Sequence, residues 1–433
     1  MGMPHGALWV GSACLALLAA ARFYTPSHRE SGFEATSPVP LATPPGITLQ
    51  VRTPGEKARR SAAAEWVYAD SAGMSLYTYD KDSQSGASAC MESCAQGWPA
   101  AAVPRSARQD RNWSVLERPD GIRQWMYRRA PLYRYAKDKA VGDTLGDGAE
   151  GNAWHVAVFR PGAGMALPAG IAVREIADAG GEGLVDSRGM TLYEFEDGAA
   201  PPKASCGRGS DCGRPWLPLE APEIANPIGD FTVMARDDGI AQWAYRRKPL
   251  YRFDGDRQPD EAHGAGLDAR FRVALTLRFF MPADAAIRRT VELGNILIAR
   301  GATLYQRDRV AAGEERHEFR IDHGTPALGR AFGTSTCDAA CTKTWPPFTA
   351  SPGALPSGYW DITTRADGRR QWMYKGFALY TYAPDKPGEI GGNAIYALAQ
   401  IGDDTSRATS AGLAPAGVAG VGLGALFWHA VVP

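Results

Sequence analysis

Apolar and polar positions along the chain alternate with a period of two far more often than with a helical period. The clearest case is Gln124-Trp125-Met126-Tyr127-Arg128-Arg129-Ala130-Pro131-Leu132-Tyr133-Arg134-Tyr135. Trp125 and Tyr127 fall on one face of a strand, as do Tyr133 and Tyr135, because successive strand side chains point to opposite faces. The short polar connection between the pairs predicts a β-hairpin whose aromatic pairs face each other. The stretch returns as Gln242-Trp243-Ala244-Tyr245 through Tyr251-Arg252-Phe253, and as Gln371-Trp372-Met373-Tyr374 through Tyr380-Thr381-Tyr382. Trp125 and Trp243 are 118 residues apart, Trp243 and Trp372 129, so one unit has been copied three times.

Each copy carries the same further elements. A strand, a Gly turn and an aromatic strand open the first unit, from Trp66-Val67-Tyr68 through Gly73 to Leu76-Tyr77-Thr78-Tyr79. The counterparts are Gly189-Met190-Thr191-Leu192-Tyr193-Glu194-Phe195 and Gly301-Ala302-Thr303-Leu304-Tyr305, the last with Arg307 in place of the second aromatic. This opening hairpin resembles the later one, so each unit reads as an older duplication. Cysteine pairs follow at Cys90/Cys94, Cys206/Cys212 and Cys337/Cys341, each with a Trp four residues on (Trp98, Trp216, Trp345). Strand groups beginning near Trp113, Phe231 and Trp360 run into Asp-Gly turns, and closing strands are expected at 154–159, 271–277 and 395–401.

About six short strands per unit, with no helical periodicity, predict an all-β fold of three tandem antiparallel β domains. A propeller-like ring of the six half-units is the alternative arrangement. The expected boundaries are 61–160, 169–282 and 286–402, with an insertion at 306–336 in the third domain. Residues 1–22 read as a signal peptide with a short apolar core. Residues 23–60 are rich in Pro, Ser and Thr and read as a linker that buries no core, with 47–51 as at most one edge strand. Residues 403–433 read as a Gly/Ala-rich tail. Membrane association is therefore expected only through the N-terminal segment or this tail.

Forty-seven basic and 47 acidic side chains cancel, so no net field recruits nucleic acid or an anionic membrane. Of seven cysteines, Cys14 falls in the signal segment and six remain, two per unit. Pairing within each unit is the economical reading and requires an oxidising compartment. Zinc finds no second Cys pair or neighbouring His in any unit.

Nucleophilic catalysis needs a Ser or Cys with a His and a carboxylate, yet none of His28, His155, His263, His317 and His323 recurs across the units. No catalytic residue and no cofactor is assigned, and the expectation is a non-enzyme. His317, Glu318, Asp322 and His323 form a charged loop before they form a metal site. The loops 142–152 and 254–260 are rich in Asp and Gly but lack calcium-loop spacing, so no metal is assigned either. Asp138, Asp256 and Asp385, just past a strand end, are expected to accept backbone N–H groups and shape a turn. Trp125, Trp243 and Trp372 are the candidate ligand contacts, set against a packing role.

The series Tyr77-Thr-Tyr79-x-x-Asp82, Tyr133-Arg-Tyr135-x-x-Asp138, Tyr251-Arg-Phe253-x-x-Asp256 and Tyr380-Thr-Tyr382-x-x-Asp385 resembles the bacterial secreted-repeat family, predicted lipoproteins with a Y-x-[FWY]-x-x-D motif. The T-L-Y, D-G-x-x-Q-W-x-Y and P-L-Y elements match as well. The resemblance implies export, an envelope or extracellular setting and no established activity. Two copies depart from it: Asp197 comes one place early after Phe195, and Tyr305 lacks both the aromatic and the Asp. The expected function is that of an exported binding or structural module with an unidentified envelope partner. Carbohydrate binding or processing is the first alternative, and redox or metal binding the second.

Overall fold

The computed structural model describes residues 39–52, 65–82, 87–105, 107, 109–110, 112–196, 215–309, 337–393, 395–397 and 426–433. The expected signal peptide at 1–22, Cys206 and Cys212, the His317–His323 stretch and most of the expected tail lie outside them.

The described chain is almost all β, in small antiparallel sheets, none closed into a barrel, with helix limited to short pieces such as Ser93–Gly97 and Cys341–Thr344. Each unit begins with two antiparallel strands: Ile47–Val51 with Trp66–Asp70, Ile171–Ile176 with Gly181–Asp186, and Ala285–Thr290 with Gly294–Ala299. Within the expected linker at 23–60, the one strand allowed at 47–51 is present, but as the buried first strand of the first unit, so this part does bury a core. Thr48 and Ile47 are 0 % and 1 % exposed. The Pro-rich composition around the Ile-Thr-Leu-Gln-Val run pointed to an edge strand at most, and the burial comes from packing against distant parts of the chain.

The second element is the predicted hairpin. Trp113–Glu117 pairs with Arg123–Tyr127, Phe231–Ala235 with Ala241–Tyr245, and Trp360–Thr364 with Arg370–Tyr374. Each then turns through two residues at Arg128-Arg129, Arg246-Arg247 or Lys375-Gly376, all at positive φ between 47° and 89°. Two left-handed residues in succession match the strand twist of a tight hairpin. Beyond the turn, the aromatic pairs do not face each other as expected. The chain leaves the hairpin at Pro131-Leu132, and Tyr133 pairs with Tyr77 of the opening strand; Tyr251 pairs likewise with Tyr193. The proline removes a ladder donor at that corner, and the strand crosses to the second sheet.

The closing strand lies on the other side of the opening strand. It is Trp154–Val156 in the first unit and Phe271–Val273 in the second. In the third it is Leu426–Ala430, with Tyr305 opposite Ala430 and Arg307 opposite Trp428. The expected closing strand at 395–401 is corrected accordingly: Ile395–Ala397 pairs only with the outer edge of Leu426–Ala430. The tail at 403–433 thus ends in a core strand, with Trp428 at 0 % exposure. Trp428 stacks on Trp345 at 3.8 Å, as Trp154 does on Trp98 at 3.7 Å and Phe271 on Trp216 at 3.8 Å. An aromatic ring completes that stack, and Ile395 has none.

The N-terminal segment ties the three units together. Ala42 N–H donates to Arg278 O at the end of the second unit at 2.8 Å, Arg278 N–H donates to Pro40 O at 2.9 Å, and Leu49 N–H donates to Gly358 O of the third at 2.8 Å. Gln50 donates to Asp361, and Thr43 shares a hydrogen bond with Ser357. Leu49 sits in a core cluster that continues from the first unit into the third. Replacing it in Leu49→Ala should lower the unfolding free energy by about 2–4 kcal/mol in urea denaturation, since a buried Leu truncation leaves a cavity; an effect below ~0.5 kcal/mol would show that the segment is a tether after all.

Candidate functional site

The recurring Asp is where the motif's side chains converge. Asp138 lies four residues beyond the strand Tyr133–Arg134 and is buried. Its Oδ2 accepts the Tyr77 hydroxyl at 2.6 Å, and its Oδ1 accepts Leu145 N–H at 3.0 Å. Asp256 accepts from Tyr193 at 2.8 Å and from His263 N–H at 2.7 Å. Tyr305 donates to Asp385 in the third unit. Each tyrosine oxygen also accepts a loop amide, from Gly146, Gly264 and Gly392 in turn. Those positions must be Gly: a Cβ on Gly146 would stand 2.5 Å from Trp98, and one on Gly264 2.7 Å from Trp216. Burial pushes the Asp138 and Asp256 carboxyls above the usual range, and the tyrosine bonds pull them partly back.

The bond is crossed. Tyr77 opens the motif that ends in Asp82, yet it serves Asp138, while Tyr133 of the second motif serves Asp82 at 3.0 Å. The two halves of the first unit thus exchange partners. The turn-shaping role expected of the Asp is present, but the partner tyrosine comes from about 60 residues away, at a separation no local motif encodes.

Around this lock stands a column of stacked rings. In the first unit Tyr79, Trp154, Trp98 and Tyr135 follow one another at 4.0, 3.7 and 4.3 Å. In the third unit the guanidinium of Arg307 lies 5.4 Å over the Trp428 ring where an aromatic would have continued the column. The departure noticed at Arg307 is therefore a cation–π substitution that keeps the end of the stack covered.

A third recurring set was missed from sequence. Arg118, Arg236 and Arg365 precede the Asp-Gly turns and are buried, with side-chain exposures of 0 %, 4 % and 6 %. Arg118 bonds Asp120, Gln124 Oε1 and the Cys90 carbonyl; Arg365 bonds Gln371 Oε1 and the Cys337 carbonyl. Gln124, Gln242 and Gln371 in turn donate to the carbonyls of Leu132, Leu250 and Leu379 at 2.7–2.8 Å. The signal was present as R-x-D-G-x-x-Q in all three copies. Cys90–Cys94 and Cys337–Cys341 form disulfides, with Cα separations of 5.2 and 5.3 Å.

Trp125, Trp243 and Trp372 are buried at 1 %, 6 % and 5 % exposure. They offer no free ring face on which a sugar could stack. Trp372 lines a groove of about 650 Å³ with Pro45, Phe280, Pro282, Arg300 and Leu355, but it packs against Trp360 and Phe280. In the loop at 254–260 and just beyond, ligand atoms of Asp256, Glu261 and His263 lie within 4.8 Å of one another. Both Asp256 oxygens are already engaged, and Glu261 Oε2 holds the amides of Arg257 and Gln258, as Asp143 holds those of Lys139 and Ala140 in the first unit. That recurrence marks loop architecture shared between units.

A separate polar cluster sits where the three units meet. Glu175 of the second accepts the Tyr359 hydroxyl of the third at 2.6 Å, with Lys375 Nζ 3.7 Å away. Glu182 accepts Gly162 N–H from the first-to-second connection at 3.0 Å, and its Oε1 has no hydrogen-bond partner among the described residues. Burial pushes its carboxyl up to about 7, against the attraction of Arg128 and with repulsion from Glu175. Burial also lowers the Lys375 ammonium.

A family model described as a secreted repeat of unknown function matches residues 67–102, 114–158, 232–273 and 361–395. These four segments are secreted repeats of that family. Two of the repeats fall within the first unit, one on each half, and it is these two that exchange tyrosine–aspartate bonds. Searches of curated proteins and of solved structures find no match. No helix among the described residues is long and apolar enough to cross a membrane.

Two outcomes follow for this lock and junction. Tyr193→Phe leaves Asp256 Oδ2 buried without its donor and should cost about 1–3 kcal/mol by chemical denaturation; an unchanged midpoint would remove the lock from the account. Glu182 has a folded pKa above its unfolded value, so its contribution is full below about pH 4.5 and is lost as pH rises toward about 7. Glu182→Gln should therefore stabilise the protein by roughly 2–3 kcal/mol at pH 8 and little at pH 4; a gain that is the same at both pH values would contradict the shift.

Proposed function

We propose that this chain is exported and works without catalysis, as a rigid three-unit scaffold whose outer surface engages an envelope or extracellular partner. The observation that supports this reading is where the motif residues go. Every described tyrosine–aspartate bond, ring stack and Arg–Gln network of the repeats closes inside a unit, and none converges on an open cleft. Catalysis needs groups held at an accessible position where a reacting atom can sit. These groups hold each other. The family's description as secreted, and two disulfides in five-residue loops, fit an oxidising setting.

Expression of the whole chain in a bacterial host tests the reading. The mature protein is expected in the extracytoplasmic fraction, with Cys90, Cys94, Cys206, Cys212, Cys337 and Cys341 alkylated only after reduction. Free thiols from the outset, or cytoplasmic retention, would overturn it. Because the loops are short, Cys90→Ser with Cys94→Ser should cost only about 2 kcal/mol, read as a lower denaturation midpoint of the oxidised protein.

A further inference from the structure

The turn that ends the recurring hairpin carries Arg128 in the first unit, Arg246 in the second and Lys375 in the third. An arginine keeps its proton in a protein, whereas a buried lysine gives its proton up readily and becomes a nucleophile. Lys375 is held in place at both ends. Its N–H donates to Tyr359 O at 2.8 Å, and its Nζ lies 5.0 and 5.3 Å from the ring centres of Tyr359 and Tyr374. From there the Nζ stands 3.7 Å from Glu175 Oε1 of the second unit, while Glu175 Oε2 accepts the Tyr359 hydroxyl at 2.6 Å.

Glu175 sits directly opposite Glu182 on the next antiparallel strand. Side chains so placed are neighbours, and two like charges there repel. The same place in the first unit pairs Val51 with Trp66, so the facing carboxyls are not part of the repeat. Glu182 is 1 % exposed; its Oε2 accepts Gly162 N–H, and its Oε1 has no hydrogen-bond partner among the described residues. Burial lowers the Lys375 ammonium and raises the Glu182 carboxyl, the latter against the attraction of Arg128. A free amine and an un-ionised acid therefore flank one carboxyl group. Ions buried in this way keep a desolvation penalty that a neutral amide does not carry.

We infer that Lys375 Nζ and Glu175 Cδ join in an isopeptide bond between the third and second units, formed by the protein itself with Glu182 relaying a proton. Lys375 first passes one proton to the near Glu175 oxygen, Oε1, and the free amine attacks Cδ. The C–N bond forms, and the charge that develops on Oε2 is met by the Tyr359 hydroxyl already aimed at it. Glu182 hands its proton to Oε1, the C–O bond breaks, and water leaves. Glu182 then recovers a proton from Nζ. Ammonium and carboxylate become amide and water, with no oxidant or cofactor required. The bond does not depend on the proposed export or partner, so it should be present in protein recovered from either side of the membrane.

Full-length wild-type protein, reduced, alkylated and digested with trypsin, tests this by tandem mass spectrometry. The expected product is a branched peptide joining the stretch that holds Glu175 to the stretch that holds Lys375, lighter by one water than the two together and uncut after Lys375. Linear peptides alone, with cleavage after Lys375, or Lys375 joined to another carboxyl, would overturn the inference. The branched peptide should disappear in Lys375→Arg, which keeps the cation. In Glu182→Gln, which has the shape but no transferable proton, a time course of cell-free synthesis should show it forming at least ~100-fold more slowly; an unchanged rate would overturn the relay. The wild-type digest decides the bond even where a variant does not fold.

Discussion

A carboxylate drawn into a β core must find donors there, and the answer in this protein organises each unit. Asp138, Asp256 and Asp385 take a tyrosine hydroxyl from the opening strand, and the first two are shown to take a backbone amide from the following loop as well. The same tyrosine oxygen accepts the amide of a glycine whose missing Cβ leaves room for a ring. Strand, turn and loop are thereby joined at one point. An uncompensated carboxylate at that depth would cost several kcal/mol. The ring column, the closing strand and the position of the disulfide helix against it all presuppose that lock.

The units are bound to each other by means outside the repeat. The strand Ile47–Val51 completes the first unit and pairs its backbone with the third, while residues just before it bond the second. At the meeting point, Glu175, Tyr359 and Lys375 form a polar contact across units, with Glu182 close by. Such a junction fixes orientation more than it stabilises, because each buried charge there pays a desolvation penalty. The third unit shows the converse. Its lock at Asp385 is present without the second aromatic of the opening strand, and Arg307 lies over the buried Trp428 ring where that aromatic would have stacked.

Much of this was legible in the chain. The period of two, the triplication, the hairpins at Gln124, Gln242 and Gln371 and the pairing of nearby cysteines all depend on neighbours within about ten residues, and local spacing records them. The crossed Tyr77–Asp138 and Tyr133–Asp82 bonds were not legible, although all four residues had been singled out. The motif displays Tyr and Asp side by side, and the spacing pointed the Asp only to backbone N–H groups of its own turn. The buried Arg118, Arg236 and Arg365 escaped for a related reason: an arginine before a turn reads as solvent-facing until something shows the carbonyls it must satisfy.

The sequence by itself determined the strands, their turns, the number of units and which residues belong to the repeat, because those follow from side-chain periodicity and backbone preference at short range. Only the tertiary structure decided which strand completes which unit. Ile47–Val51 read as at most an edge strand of a linker, and Trp428 was hidden in a tail, while Ile395 stood in the expected place. The choice between Ile395 and Trp428 turns on a ring that must fill the space over Trp345. That space exists only once strands from distant parts of the chain have packed around it.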